Sequence, residues 1–193
     1  MTNVIFESPL VNIPRLGKRE LKADGRVCLL DEIPFIDMLT IRGDAGSSSF
    51  TNAVSACTGL ALPVQANTAS VNADRQLFWL GPDEWLLKTG YGTAQAVEMS
   101  LRAALDGQHF STVQVGSGNT TLSLVGDAAA DLLSRACPLD LHSRVFPAGA
   151  LAQTHMAKAN VTLYCRTAQT NYEITVRRSF ADYLFRWLCE AGA

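Results

Sequence analysis

The residues of this chain best suited to chemistry are three histidines, five cysteines and one adjacent pair of carboxylates. Their spacing supports little of it. His109, His142 and His155 could ligate zinc or iron, but none has another His, Cys or carboxylate three or four residues away in a helix. Cys28, Cys57, Cys137, Cys165 and Cys189 include no C-x-x-C pair. They are odd in number, widely spaced and mostly beside apolar residues, which predicts buried reduced thiols in a cytoplasmic protein. Asp83 and Glu84 are neighbours in a turn, an arrangement that sends their side chains different ways and suits paired acid–base work poorly. Gly116-x-Gly118 lacks the later glycine and long helix of a dinucleotide site and reads as a turn. There is no G-x-S-x-G elbow to start a hydrolase triad. The sequons Asn119-Thr120-Thr121 and Asn160-Val161-Thr162 are idle without a secretory signal, and Met1 to Leu10, with Glu7 and Pro9, has no basic leader. Catalytic, cofactor-binding and metal-binding residues are therefore all expected to be none in this chain.

The totals narrow the function classes further. Sixteen basic residues against eighteen acidic ones leave a net charge of −2, without the basic excess that phosphate neutralisation needs, so no nucleic-acid partner is expected. No apolar run approaches the ~18 residues of a membrane-spanning helix, so no membrane partner is expected either. A hydrophobic content of 48% over 193 residues suits a globular protein with a sizeable core.

What could position functional groups is a hairpin. Leu77-Phe78-Trp79-Leu80 and Trp85-Leu86-Leu87 flank Gly81-Pro82-Asp83-Glu84. Pro82 fixes φ for the first central turn residue, and Asp83 suits the next. The arms are apolar on nearly every residue, so they expect cover on both faces. Two tryptophans in so short a hairpin imply either a deep core or a surface meant for another protein. Upstream, 1–25 reads as an extended arm, with Leu10, Val11, Ile13 and Leu16 as apolar anchors and basic residues following. Val27 to Ile33 and Ile36 to Ile41 read as strands. A serine-capped helix carries Phe50, Val54 and Cys57 on one face and stops at Gly59. After the hairpin, Thr93 caps a helix with Val97, Leu101, Ala104 and Leu105 on one stripe. Further on, Thr112 to Val115, Thr121 to Val125, Asn160 to Cys165 and Tyr172 to Val176 read as strands, with a helix bearing Leu132 and Leu133 between the second and third. A last helix capped by Ser179 presents Phe180, Tyr183, Leu184, Trp187 and Leu188.

The chain repeats itself. Leu39-Thr40-Ile41-Arg42-Gly43-Asp44-Ala45 aligns with Leu122-Ser123-Leu124-Val125-Gly126-Asp127-Ala128, an offset of 83 residues (39 to 122). Each copy is preceded by a strand and followed by a helix, a Cys and an L-x-L pair. The fold class expected is α+β, built from duplicated β-β-α-β-β-α units at 26–107 and 108–193 that cover each other's sheets.

These residues also resemble a known family. Trp79-Leu80-Gly81-Pro82-Asp83-Glu84-Trp85-Leu86, Leu139-x-Leu141 before Phe146-x-x-Gly149, and Val176-Arg177-Arg178-Ser179-Phe180-Ala181 look like the gamma subunit of heterotetrameric sarcosine oxidase, from about Ser8 onward. The resemblance implies a fold similar to the folate-binding domain of glycine-cleavage aminomethyltransferases. It implies a non-catalytic structural subunit, partnered by alpha, beta and delta subunits. FAD, FMN, NAD, tetrahydrofolate and zinc are implied in those partners, which oxidise sarcosine to glycine. No stretch here matches the motif that carries the aminomethyltransferases' catalytic Asp. Trp and Arg are favoured interface anchors, so Leu10, Trp79, Trp85 and Arg178 are the expected interface residues; Arg178 could instead pair with Asp182 four residues on. The alternative reading is a stand-alone folate-binding or folate-dependent methyl-transferring protein.

Overall fold

Asp24 and Gly25 both adopt positive φ, 50° and 76°, as the two central residues of a tight hairpin turn do. They join β1 (Arg19–Ala23) to β2 (Arg26–Ile33) in antiparallel register, Leu21 opposite Cys28. The expected arm over 1–25 is therefore in part a strand, and its signal was the Asp-Gly pair. The structure, a computed structural model, describes residues 7–13 and 17–193; Leu16 lies outside the described residues. Upstream of β1, Leu10 and Ile13 are buried, Ser8 hydrogen-bonds Glu32, and the Ser8 hydroxyl accepts from the Leu10 N–H at 2.9 Å.

The remaining elements follow in order: β3 (Asp37–Arg42), α1 (Ser48–Thr58), β4 (Ala69–Val71), β5 (Gln76–Gly81), β6 (Glu84–Thr89), α2 (Ala94–Ala104), β7 (Ser111–Gln114), β8 (Asn119–Gly126), α3 (Ala129–Ser134), β9 (Leu151–Met156), β10 (Ala159–Thr167), β11 (Asn171–Arg177) and α4 (Arg178–Ala191). Ser47 accepts from the Phe50 N–H to cap α1, and Gly59 closes it at φ 72°, both as the sequence predicts. α2 differs: its first N–H, from Ala94, donates to Asp37 at 2.9 Å, while the Thr93 hydroxyl turns back to the Gly90 carbonyl at 2.6 Å. α4 differs too. β11 runs into it with no intervening loop, so the cap position is Arg177 and Ser179 lies inside the helix. The small Ala181 lets the helix sit close, and the buried line becomes Ala181, Leu184, Phe185 and Leu188. Phe180, Tyr183 and Trp187 fall on its flank instead.

Each predicted repeat gains one strand, β4 in the first and β9 in the second, so the unit reads β-β-α-β-β-β-α. The strands assemble as β1-β2-β8-β11-β10-β9 and β4-β5-β6-β3-β7. The two repeats exchange their first strands. β2 pairs with β8 (Glu32 opposite Leu122, Leu30 opposite Leu124), and β7 pairs with β3 (Gln114 opposite Leu39, Thr112 opposite Ile41). Since Leu39 aligns with Leu122, β7 lies on β3 in the register in which β2 lies on β8.

The compact units consequently do not follow the boundary expected at 107/108. One holds the described residues up to Pro34, with Gly118–Ala148 and Thr154–Ala193; the other holds Phe35–Ser117 and Gly149–Gln153. The order of elements is local information, but strand pairing is not, and here pairing decides the division.

In the first unit, the rows Leu30–Leu124–Tyr172–Cys165 and Leu122–Ile174–Leu163 are buried. α3 adds Leu132 and Leu133 to the buried set, and α4 adds its own line. In the second, Leu39, Ile41, Leu77, Trp85 and Leu87 pack with Phe50, Val54, Val97, Leu101 and Leu105. Each such side chain contributes about 1.5–3 kcal/mol. The duplicated motif keeps a glycine in both units because neither has room for a Cβ. At Gly126, φ 139°, it would lie 2.5 Å from the Val27 carbonyl oxygen; at Gly43 it would enter the Phe50 ring.

Candidate functional site

The reactive residues are dispersed. His109 precedes β7, His142 follows α3 and His155 is on β9; all three are exposed. Among the described residues no group of three His, Cys, Asp or Glu side chains could hold a metal. The five cysteines are free thiols. Burial raises the thiols of Cys57, Cys165 and Cys189 and pushes Cys28 up to about 11, so they stay protonated and weakly nucleophilic near neutrality. Burial likewise pushes the Tyr172 phenol up to about 12. Asp83 and Glu84 do not diverge as expected. Both reach Arg42, at 3.1 and 3.9 Å. They neutralise one guanidinium rather than share a proton.

That cluster borders a cleft of ≈ 870 Å³ in the second unit, lined among others by Arg42, Asp44, Pro82, Asp83, His109 and Ser111. Three segments build it: the end of β3, the β5–β6 turn and the approach to β7. Its charged groups are largely exposed, so it offers polar contacts and no desolvated, activated group.

The duplication locates the counterpart in the first unit. The offset between β2 and β7 is 82 residues (32 to 114), and that between β3 and β8 is 83 (42 to 125). Val27, Leu29 and Val125 therefore occupy the positions of His109, Ser111 and Arg42. Leu29 lies directly opposite Val125 across the β2–β8 pair, with Val27 two residues along the same face. They are 41%, 40% and 42% exposed: three aliphatic side chains abreast in water. Beside them, β1 sets only Lys22 and Glu20 opposite Val27 and Leu29. The sequence held the signal, since Val27-Cys28-Leu29-Leu30 is apolar at both parities and so cannot bury every side chain on one face.

The four residues expected at an interface separate by burial. Trp85 is fully enclosed, its ring 5.7 Å from that of Phe50 and its indole N–H donating to the Pro63 carbonyl at 2.7 Å. Leu10 is equally enclosed. Trp79 is half-buried on the edge of the second unit's core. Arg178 is half-buried and donates to the Glu7 carbonyl at 2.8 Å, while Asp182 pairs with Arg186. Trp79 and Arg178 thus reach the surface; Leu10 and Trp85 support it from beneath. Near Arg178 on α4, Phe180 stands exposed and meets Tyr183 edge to face at 6.4 Å. No helix among the described residues is long and apolar enough to cross a membrane.

Comparison with known proteins places the chain among relatives of one kind. Residues 42–193 match the sarcosine oxidase, gamma subunit family. The sarcosine oxidase subunit gamma of Corynebacterium sp. (strain U-96) is 30% identical over 185 residues, which cover 95% of this chain and 88% of the relative. The heterotetrameric sarcosine oxidase from Corynebacterium sp. U-96, solved in complex with pyrrole 2-carboxylate, contains a chain that superposes with a TM-score of 0.86 at 30% identity, covering 96% of this chain and 94% of that one. The glycine cleavage system aminomethyltransferase T from Bartonella henselae matches 82% of this chain and 44% of its own, with a TM-score of 0.58 and 17% identity, and shares the fold alone.

Proposed function

This chain belongs to the sarcosine oxidase gamma subunit family, and from that premise we propose that it is the non-catalytic structural subunit of a cytoplasmic heterotetrameric sarcosine oxidase. It holds larger subunits together while they carry out the oxidative demethylation of sarcosine to glycine. FAD, FMN, NAD, tetrahydrofolate and zinc belong to its alpha, beta and delta partners. The observation that carries this reading is the exposed aliphatic trio Val27, Leu29 and Val125 on the β2–β8 face. Adjacent exposed aliphatics cost solvation that a partner's cover recovers, at roughly 25 cal/mol per Å². Trp79 and Arg178, the surface-reaching members of the expected set, are of the aromatic and charged types that anchor interfaces.

A tagged chain expressed in its native host tests the proposal. It is expected to bring down flavin-bearing protein in stoichiometric amount, and a colourless, partner-free chain would overturn it. Titration with tetrahydrofolate tests the folate-binding alternative. That reading needs an apolar pocket with a carboxylate free to grip a pterin. In the cleft of the second unit, Asp83 is already committed to Arg42.

A further inference from the structure

β2 and β7 are the same strand of the two repeats, yet their outer edges are treated differently. Along β2 lies β1, in register over five residues from Arg19 opposite Leu30 to Ala23 opposite Arg26. β7 ends its sheet among the described residues, with no strand outside it; at its outer edge Thr112 is 5% exposed, and Gln114 is open to solvent. The Val115 N–H donates to the Met38 carbonyl at 2.8 Å on the β3 side, so the backbone of Val113 faces β3 as well. Those of Thr112 and Gln114 face outward. Neither outward amide has an acceptor among the described residues. The Thr112 carbonyl accepts from the Arg102 guanidinium at 3.3 Å, and that side chain is 57% exposed. Val113 stands 54% exposed beside them.

We propose that the outer edge of β7 receives an extended segment of a partner subunit as an added strand, in the place β1 takes on β2. This rests on the subunit reading above. The guest strand carries an Asp or Glu where it passes Arg102. Arg102 is then answered from both sides: Glu98 already holds it at 2.8 Å from its own helix, and the guest carboxylate takes the exposed half of the guanidinium. Backbone hydrogen bonds to Thr112 and Gln114 supply affinity, and the charge pair sets the register.

Amide hydrogen exchange in the free full-length chain and in the assembled complex decides it. The exposed Gln114 amide is expected to exchange rapidly when free and at least ~100-fold more slowly in the complex. Equal exchange in both states, in a complex that does contain flavin-bearing subunits, overturns the added strand and leaves the subunit reading standing. Failure to recover any such complex defeats the subunit reading itself. Gln114→Pro removes one outward donor without touching the β3 ladder, and with it the side-chain bond to Glu98 at 2.7 Å; it is expected to lower retention in the complex at least ~10-fold, whereas Gln114→Ala, which loses the same side-chain bond but keeps the backbone N–H, is expected to be retained like the wild-type chain. Arg102→Glu is expected to lower retention further at low salt, and unchanged retention of both Gln114→Pro and Arg102→Glu counts against the proposal. Protection that grows with concentration in the free chain alone also overturns it, because the edge would then belong to a second copy.

Discussion

Position for position, the β2–β8 end of one unit and the β7–β3 end of the other are copies with opposite surfaces. Val27, Leu29 and Val125 on one side stand where His109, Ser111 and Arg42 stand on the other. The first trio is bare hydrocarbon; the second is a polar cleft with its cation already paired to Asp83 and Glu84. The helix-facing rows beneath both are apolar and buried. Duplication has therefore preserved what the fold needs, namely register, the tight glycines and the core. The outward residues have been free to diverge towards different neighbours.

The comparison breaks first in the shared core. Trp85→Ala should cost about 3–5 kcal/mol of unfolding free energy, since it empties the site against Phe50 and leaves the Pro63 carbonyl without its donor. Denaturant titration measures it, and a loss below about 1 kcal/mol would mean the unit packs otherwise. The paired glycines give a sharper contrast. Gly126→Ala meets backbone on β2 at a positive φ and should cost roughly 2–3 kcal/mol. Gly43→Ala has no positive φ to strain and meets a side chain, the buried Phe50 ring, and not backbone, so it should cost less, by whatever the ring can yield. Equal costs would show that the Phe50 ring yields no more than the β2 backbone does.

Glu98 distinguishes the β7 side by pH. The Gln114 amide, then the Arg102 guanidinium, hold its carboxyl below the usual carboxylate range. A carboxylate depressed in the folded state stabilises above its unfolded pKa, and the contribution disappears as pH falls through the folded value. Glu98→Gln should therefore destabilise by about 1 kcal/mol near pH 7. The two proteins should converge in strongly acidic solution, below the ordinary Glu range near 4.3. Melting curves across pH that stayed parallel would remove Glu98 from this role. The smallest effect belongs to Arg42→Ala, whose partners are more than a third exposed. It should shift stability by less than about 1 kcal/mol and fade with salt.

Turn and cap chemistry made much of this legible in advance. Gly81-Pro82-Asp83-Glu84 announced its hairpin, and Ser47 and Gly59 bracketed α1. The repeat around Gly43 and Gly126 announced the duplication. Asp24-Gly25 announced β1 equally well, but the prolines upstream favoured an arm. β4 and β9 escaped because short edge strands with polar residues such as Ser70, Gln153 and His155 carry little apolar alternation. The exchange of β2 and β7 has no local signature at all, since a pairing partner some seventy to ninety residues distant leaves no mark on the strand's own composition. The aliphatic trio was readable as residues but not as a surface, because only the register sets Leu29 beside Val125.

The most direct test of the docking account is size-exclusion chromatography with light scattering on Leu29→Lys/Val125→Lys, co-expressed with the partner subunits. The side chains are exposed, so the double variant should keep the wild-type circular dichroism and melting temperature. It should elute apart from the flavin-bearing fraction, with which the wild-type chain is expected to co-elute. A double variant that assembles at wild-type yield would contradict the claim that this aliphatic face is what the larger subunits cover.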